Sequence, residues 1–204
     1  FLHAGDLVNR ASSDGEWGEW FEAGAFIYAM IPVIATPGNH EYVKHEHPDG
    51  SRTRTLTEHF PATFAFPEHG PSGLESRVYF TAHQNLRVVS LHSNERQTDH
   101  VEWLDRVLSE NDRTWTVLTF HHPIFSTGRD RDNAALRDLW KPVFDRHGVD
   151  LVLNGHDHTY GRSGIVGPDT TEGGVSVAVP MHNAPGGVSA RSDAGTVYVV
   201  SVSG

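Results

Sequence analysis

Val149-Asp150-Leu151-Val152-Leu153 runs straight into Asn154-Gly155-His156-Asp157-His158, and this junction decides how the rest of the chain is read. An apolar run with one Asp inside it reads as a buried strand. Gly155 then lets the backbone turn where a side chain would obstruct. His156 and His158 are spaced i, i+2, which puts both imidazoles on one side of an extended segment. Two imidazoles aimed one way from the end of a buried strand suit a divalent metal.

The same arrangement recurs upstream. Phe1 to Ala4 reads as the tail of a buried strand closed by Gly5-Asp6. Ile31 to Ala35 reads as a strand followed by Thr36-Pro37-Gly38-Asn39-His40-Glu41. Trp115 to Phe120 reads as a strand running into His121-His122-Pro123. Each could be a polar turn taken singly. Together, Asp6, Asn39, His121, His156 and His158 bring carboxylate, amide oxygen and imidazole to strand ends, where open α/β sheets place their sites. A sulfur-free set of nitrogen and oxygen donors suits Zn, Mn or Fe and is too nitrogen-rich for Ca or Mg. Five donors exceed one tetrahedral ion, and a carboxylate such as Asp6 can bridge two.

Between these ends, Asp14 is expected to cap a helix with Trp17, Trp20, Phe21, Ala25 and Tyr28 on its apolar face. Residues 43–75 read as a long excursion with one short helix near Thr53 to His59. Its histidines, His45, His47, His59 and His69, read as solvated or structural. Arg77 to Thr81 and Leu86 to Leu91 read as strands of a hairpin. Thr98 to Asn111 and Ala134 to His147 read as amphipathic helices, the second kinked or broken at Pro142. Gly174 to Val179 and Thr196 to Ser201 read as strands separated by a Gly-rich loop, Asn183 to Gly195.

Composition narrows the function. The 204 residues carry 16 basic and 26 acidic side chains, a formal charge of −10. No basic stripe marks a nucleic-acid surface. A phosphorylated substrate remains compatible, because bound metal ions supply local positive charge. There is no Cys, which excludes disulfides and thiolate ligands and indicates no compartment. No apolar run approaches the ~20 residues of a membrane helix. Phe1 and Gly204 fall within strand-like segments, so the chain is expected to be one domain, 1–204, cut at its N-terminus, with a cut at the C-terminus left open. Neither a Gly-x-Ser-x-Gly elbow, a Walker A loop nor a zincin helix is present.

Gly5-Asp6, Gly38-Asn39-His40-Glu41, Leu118-Thr119-Phe120-His121 and Gly155-His156-Asp157-His158 resemble four of the five motif blocks of the calcineurin-like metallophosphoesterases. His158-Thr159-Tyr160-Gly161-Arg162 extends the likeness toward the purple-acid-phosphatase-like branch. The resemblance implies an α/β fold, an α/β/β/α sandwich of two packed mixed sheets flanked by helices. It implies two divalent ions bridged by Asp6, with Asn39, His121 and His156 on one and His158 on the other. His40 would face the phosphate and protonate the leaving oxygen; Arg10, His122 and Arg162 are outer-site candidates for substrate. The implied activity is hydrolysis of a small-molecule or protein-borne phosphate ester by a metal-bound hydroxide. A phosphodiesterase, a protein phosphatase and a non-catalytic metal-binding or interaction module are the alternatives. The resemblance also suggests a secreted or periplasmic protein.

Two departures stand out. The family's first block, an Asp with another ligand close by, lies on a strand before Gly5-Asp6 and is absent from this chain. Purple enzymes carry a Tyr three residues after the bridging Asp, where this chain has Asn9. Without that tyrosinate, divalent Zn, Mn or Fe is expected rather than a stable ferric centre.

Overall fold

The structure is a computed structural model that describes residues 1–126, 128, 131–168, 178–179 and 195–201. In chain order the elements are β1 (Leu2–His3), α1 (Asp14–Tyr28), β2 (Ile34–Ala35), a 3₁₀ turn (Asn39–Glu41), β3 (Tyr42–Glu46), β4 (Arg52–Leu56), α2 (His59–Thr63), β5 (Tyr79–His83) and β6 (Leu86–Ser90). There follow α3 (His100–Ser109), β7 (Trp115–Phe120), α4 (Ala134–Arg146), β8 (Leu151–Asn154), β9 (Gly161–Val166), β10 (Ala178–Val179) and β11 (Thr196–Val200).

Among the described residues the main sheet has seven strands in the order β10-β9-β11-β8-β7-β6-β5. Its centre, β6, β7, β8 and β11, is parallel, and the flanking pairs are antiparallel. The central strands read as apolar runs because both faces are covered. On one face, Trp103, Leu104, Trp140 and Phe144 from α3 and α4 form a core with Leu118, Phe120 and Val152. On the other lies a two-stranded parallel sheet, β1-β2. Tyr79 Oη ties it to the main sheet, donating to the Ala35 carbonyl at 2.9 Å. A second core of Val8, Trp17, Trp20, Ala35, Phe60 and Phe64 seals β1-β2 beneath α1 and α2. The layers are therefore helix, small sheet, large sheet, helix. The parallel strands of both sheets end along one edge, and that edge carries the site.

Several local expectations are corrected. Residues 43–75 are not an irregular excursion. The alternation Arg52-Thr53-Arg54-Thr55-Leu56 pairs residue for residue with Tyr42 to Glu46. Pro48-Asp49-Gly50 makes the turn, with Gly50 at φ 80° and Asp49 Oδ1 accepting from the Ser51 N–H at 2.9 Å. The short helix, α2, follows this hairpin instead of lying within 53–59. Ser13, not Asp14, caps α1, its Oγ accepting from the Glu16 N–H. α1 bends at Ala25, so Phe21 and Ala25 are exposed while Trp17 and Trp20 stay buried. α4 continues through Pro142, which faces solvent, where water can take up the carbonyl its missing N–H leaves free. A 3₁₀ turn, Gln97–Asp99, precedes α3, which therefore begins at His100 instead of Thr98. β9 was not foreseen, because its two glycines dilute any strand signal. The expected strand 174–179 is described only at 178–179, and the Gly-rich loop lies outside the described residues except for Gly195.

Trp140 links both halves of the helical face. It is fully buried, packs edge-on against Phe120 at 5.1 Å, and its Nε1 donates to the Gln97 carbonyl at 2.9 Å. Trp140→Ala is expected to lower unfolding stability by about 3–5 kcal/mol, read from urea denaturation; a loss below about 1 kcal/mol would contradict the packing described.

Candidate metal centre

The site begins with the turn after β1. Gly5 stands at φ +86°, and a Cβ there would meet Gly38 N at 2.6 Å and His121 Nδ1 at 2.7 Å. Only glycine allows the β1 and β2 turns to approach this closely. Asp6 follows at φ 55°, a left-handed conformation costly for a non-glycine residue. What holds it there is Glu41, fully buried, whose carboxylate faces backbone N–H groups. Its Oε2 accepts from Asp6 N at 2.8 Å and Gly38 N at 2.6 Å. Its Oε1 accepts from Leu7 N at 2.7 Å and Val8 N at 3.4 Å. One side chain therefore fixes both turns. Burial and the neighbouring Asp6 carboxylate push the Glu41 pKa up, against the pull of these N–H groups.

Four electron-pair donors converge at this edge. His121 Nδ1 donates to the Ala4 carbonyl at 2.8 Å, which fixes the tautomer and leaves Nε2 with its lone pair. That Nε2 lies 2.9 Å from Asn39 Oδ1, 3.2 Å from Asp6 Oδ2 and 3.1 Å from His156 Nδ1. His156 Nδ1 is in turn 2.8 Å from Asn39 Oδ1. Lone pairs packed this closely repel unless a proton or a cation lies among them. Separations near 3 Å are those of adjacent ligands about 2.0–2.2 Å from one ion. Carboxylate, amide oxygen and two imidazoles thus fit a divalent transition metal.

Other expected site residues are distributed around these donors. His40 donates its backbone N–H to Asp6 Oδ1 at 2.8 Å, and its ring Nδ1 donates to the Asn9 carbonyl at 2.8 Å. His158 is exposed and shares a cleft of about 850 Å³ with Asp6, His40 and His156. No hydrogen bond or ion pair joins it to the described residues. Arg10 is turned to Glu16, with Nε 2.5 Å from Oε1, and does not line that cleft. Arg162 is exposed on β9 and does not line it either. His122 is the third imidazole of a group with His121 and His156, within 4.8 Å of one another. Burial, then the charges of His121 and His156, carry its pKa down to about 3; Arg54 contributes in the same direction. Burial likewise raises the Asp6 pKa, but hydrogen bonding and charge from His121, with His40, prevail and hold it low.

Sequence reading missed several contributors. β6 is a parallel strand whose end, His92-Ser93-Asn94, belongs to the same edge. Ser93 Oγ accepts from the His122 backbone N–H at 3.0 Å and lies 2.9 Å from its Nδ1. Asn94 Nδ2 donates to the Pro37 carbonyl at 2.8 Å, steadying the turn that presents Asn39. Arg131 Nη1 donates to the carbonyl of His156, a residue at φ 67°. Asp157 is buried and accepts from Ser126 Oγ. A polar triplet after a strand parallel to β7 was the available signal for Ser93 and Asn94. Nothing in the spacing marked Arg131 or Ser126.

The family model described as calcineurin-like phosphoesterase matches residues 1–160, and the chain belongs to that family. It is 29% identical over 179 residues to an uncharacterised protein of Mycobacterium tuberculosis, covering 76% of this chain and 33% of that protein. It is 28% identical over 159 residues to purple acid phosphatase 15 of Arabidopsis thaliana, covering 74% of this chain and 28% of the relative. The chain thus spans about a third of the length of these curated relatives. A purple acid phosphatase from yellow lupin seeds superposes with a TM-score of 0.69 at 19% identity, covering 98% of this chain and 36% of that one. Its likeness bears on the fold, a mixed α/β metallophosphoesterase architecture. No helix among the described residues is long and apolar enough to cross a membrane.

Glu41 gives the site its sharpest local test. Glu41→Gln puts an NH₂ group against backbone N–H donors and is expected to weaken divalent-metal binding by about 10–100-fold. It should also cost at least about 2 kcal/mol of stability. Metal titration by calorimetry and urea unfolding measure the two. Unchanged metal affinity would show that the carboxylate does not organise the donors.

Proposed function

We propose that this protein hydrolyses phosphate esters as a metal-dependent, acid-phosphatase-like phosphomonoesterase with a dinuclear site. The observation that carries the reading is the convergence of Asp6, Asn39, His121 and His156, with the His121 tautomer fixed by the Ala4 carbonyl. In this reading Asn39, His121 and His156 would hold one ion, Asp6 would be shared with a second, and His158 from the cleft wall would serve that second ion. Divalent ions, when bound, would supply positive charge and Lewis acidity for phosphoryl transfer at this edge. Zn, Mn or Fe(II) suits the donor set, and Asn9 offers no phenolate for a ferric ion.

The chain's own contribution to proton transfer falls to His40. Its Nδ1 is committed to the Asn9 carbonyl, so Nε2 is the nitrogen left to exchange a proton with the substrate. Its backbone N–H on Asp6 Oδ1 keeps the ring beside the donors without using it as one. Protonation of the leaving oxygen from Nε2 is general acid catalysis, worth typically ~10²–10⁴-fold. His122, held by Ser93, lies beside His156 and is the outer residue that this reading assigns to substrate, although it does not line the cleft. Substrate is a small-molecule or protein-borne phosphate ester.

The test uses the protein expressed from its whole gene. An aryl phosphate should be hydrolysed faster than the corresponding aryl phosphodiester. His40→Ala should lower kcat by about 10²–10⁴-fold on an alkyl phosphate, with metal content near wild type. The loss should shrink for leaving groups that are already acidic, since these need no proton. Asp6→Ala or His156→Ala should lose metal and activity together. Stoichiometric metal loss in the His40 variant, or full rate on an alkyl phosphate, would overturn the assignment.

A further inference from the structure

The β3-β4 hairpin grows out of the donor turn. Tyr42 directly follows Asn39–Glu41 and pairs with Leu56 as β4 returns. The Thr57 N–H then donates to the Glu41 carbonyl at 2.9 Å. A side chain on this hairpin is therefore fixed relative to the metal donors. Arg54 is such a side chain. It is exposed, its guanidinium carbon stands 5.3 Å from the centre of the Tyr42 ring, and its Nη2 donates to the Asn94 carbonyl at 3.1 Å.

Arg54 has no carboxylate partner among the described residues. Its neighbours do: Arg52 lies 2.9 Å from Glu46 and Arg77 lies 3.1 Å from Glu95. In a chain of net charge −10, a pinned guanidinium with no described carboxylate within ion-pair distance keeps most of its five N–H groups for another acceptor. Its place is specific. Asn94, which it contacts, is adjacent to Ser93, and Ser93 holds His122. The His122 and His156 rings are 4.5 Å apart between centres. Arg54 is thus linked to the metal donors through Asn94, Ser93 and His122.

We propose that Arg54 and His122 form an anion subsite beside the donor cluster, which takes a second acidic group of the substrate, such as an adjoining phosphoryl. This rests on the phosphoesterase reading above, in which the donors take the scissile phosphoryl. A guanidinium suits the role because its planar fork matches phosphate oxygens bidentately, and stacking on Tyr42 limits the freedom lost on binding. The subsite selects substrates carrying two anionic groups over those carrying one.

Arg54→Gln and Arg54→Lys are compared with Arg52→Gln, an exposed control two residues along the same strand, in the protein expressed from its whole gene. Arg54→Gln is expected to raise KM for a nucleoside diphosphate by about 10-fold, with kcat and the aryl phosphate KM changed less than about twofold. Arg54→Lys should recover part of the loss, and Arg52→Gln should change neither substrate. Calorimetry should show inorganic pyrophosphate bound about 10-fold more weakly by Arg54→Gln and inorganic phosphate bound as in wild type. Equal losses for both substrates would overturn the proposal, since the guanidinium would then serve the scissile phosphoryl. No loss for either would reduce Arg54 to packing on Tyr42. Arg54-dependent pyrophosphate binding in a protein that hydrolyses no phosphate ester would uphold the subsite and sink the phosphoesterase reading alone.

Discussion

The structure depends on one buried carboxylate. Glu41 is fully enclosed and accepts from the N–H groups of Asp6, Leu7, Val8 and Gly38. Enclosing an ionised group is costly unless every lone pair is met, and backbone N–H donors meet these. The interaction links the turn after β1 to the turn after β2, although these lie more than thirty residues apart in sequence. It also offsets the left-handed strain at Asp6. With that constraint in place, the Asp6 and Asn39 side chains have little choice of position.

The second half of the site is organised from the large sheet. His121 reaches across to the Ala4 carbonyl at the end of β1, so one hydrogen bond both joins the two layers and sets the tautomer. Arg131 on the His156 carbonyl and Ser126 on Asp157 do the corresponding work for the turn after β8. Each donor is thus held by a partner that is itself anchored, the arrangement by which outer groups tune metal affinity. His158 differs. It is exposed, and its position on the cleft follows from the backbone alone.

Much of this was legible in the sequence because it rests on local signals. Apolar runs ending in a donor residue, with Gly before it at Asp6, Asn39 and His156 but not at His121, located these turns. Helix periodicity located α3 and α4, whose buried faces include Leu104, Val107, Leu136 and Phe144. What escaped was set by tertiary contact. Arg10 looked available to substrate until Glu16, six residues on, proved to hold it. Glu41 was given no role of its own, since nothing in its neighbours reveals the three N–H groups that Asp6, Leu7 and Val8 bring in from elsewhere. The β3-β4 hairpin was missed for another reason: its strands are exposed and polar, so no hydrophobic alternation advertises them.

The central claim is that four donors from two sheets share one divalent ion. Crystals grown with Mn²⁺ or Zn²⁺, with anomalous diffraction collected at the metal edge, test it most directly. The account predicts a peak about 2.0–2.3 Å from Asp6 Oδ2, Asn39 Oδ1, His121 Nε2 and His156 Nδ1. A metal bound elsewhere with these four atoms empty, in a protein that hydrolyses phosphate esters, would contradict it.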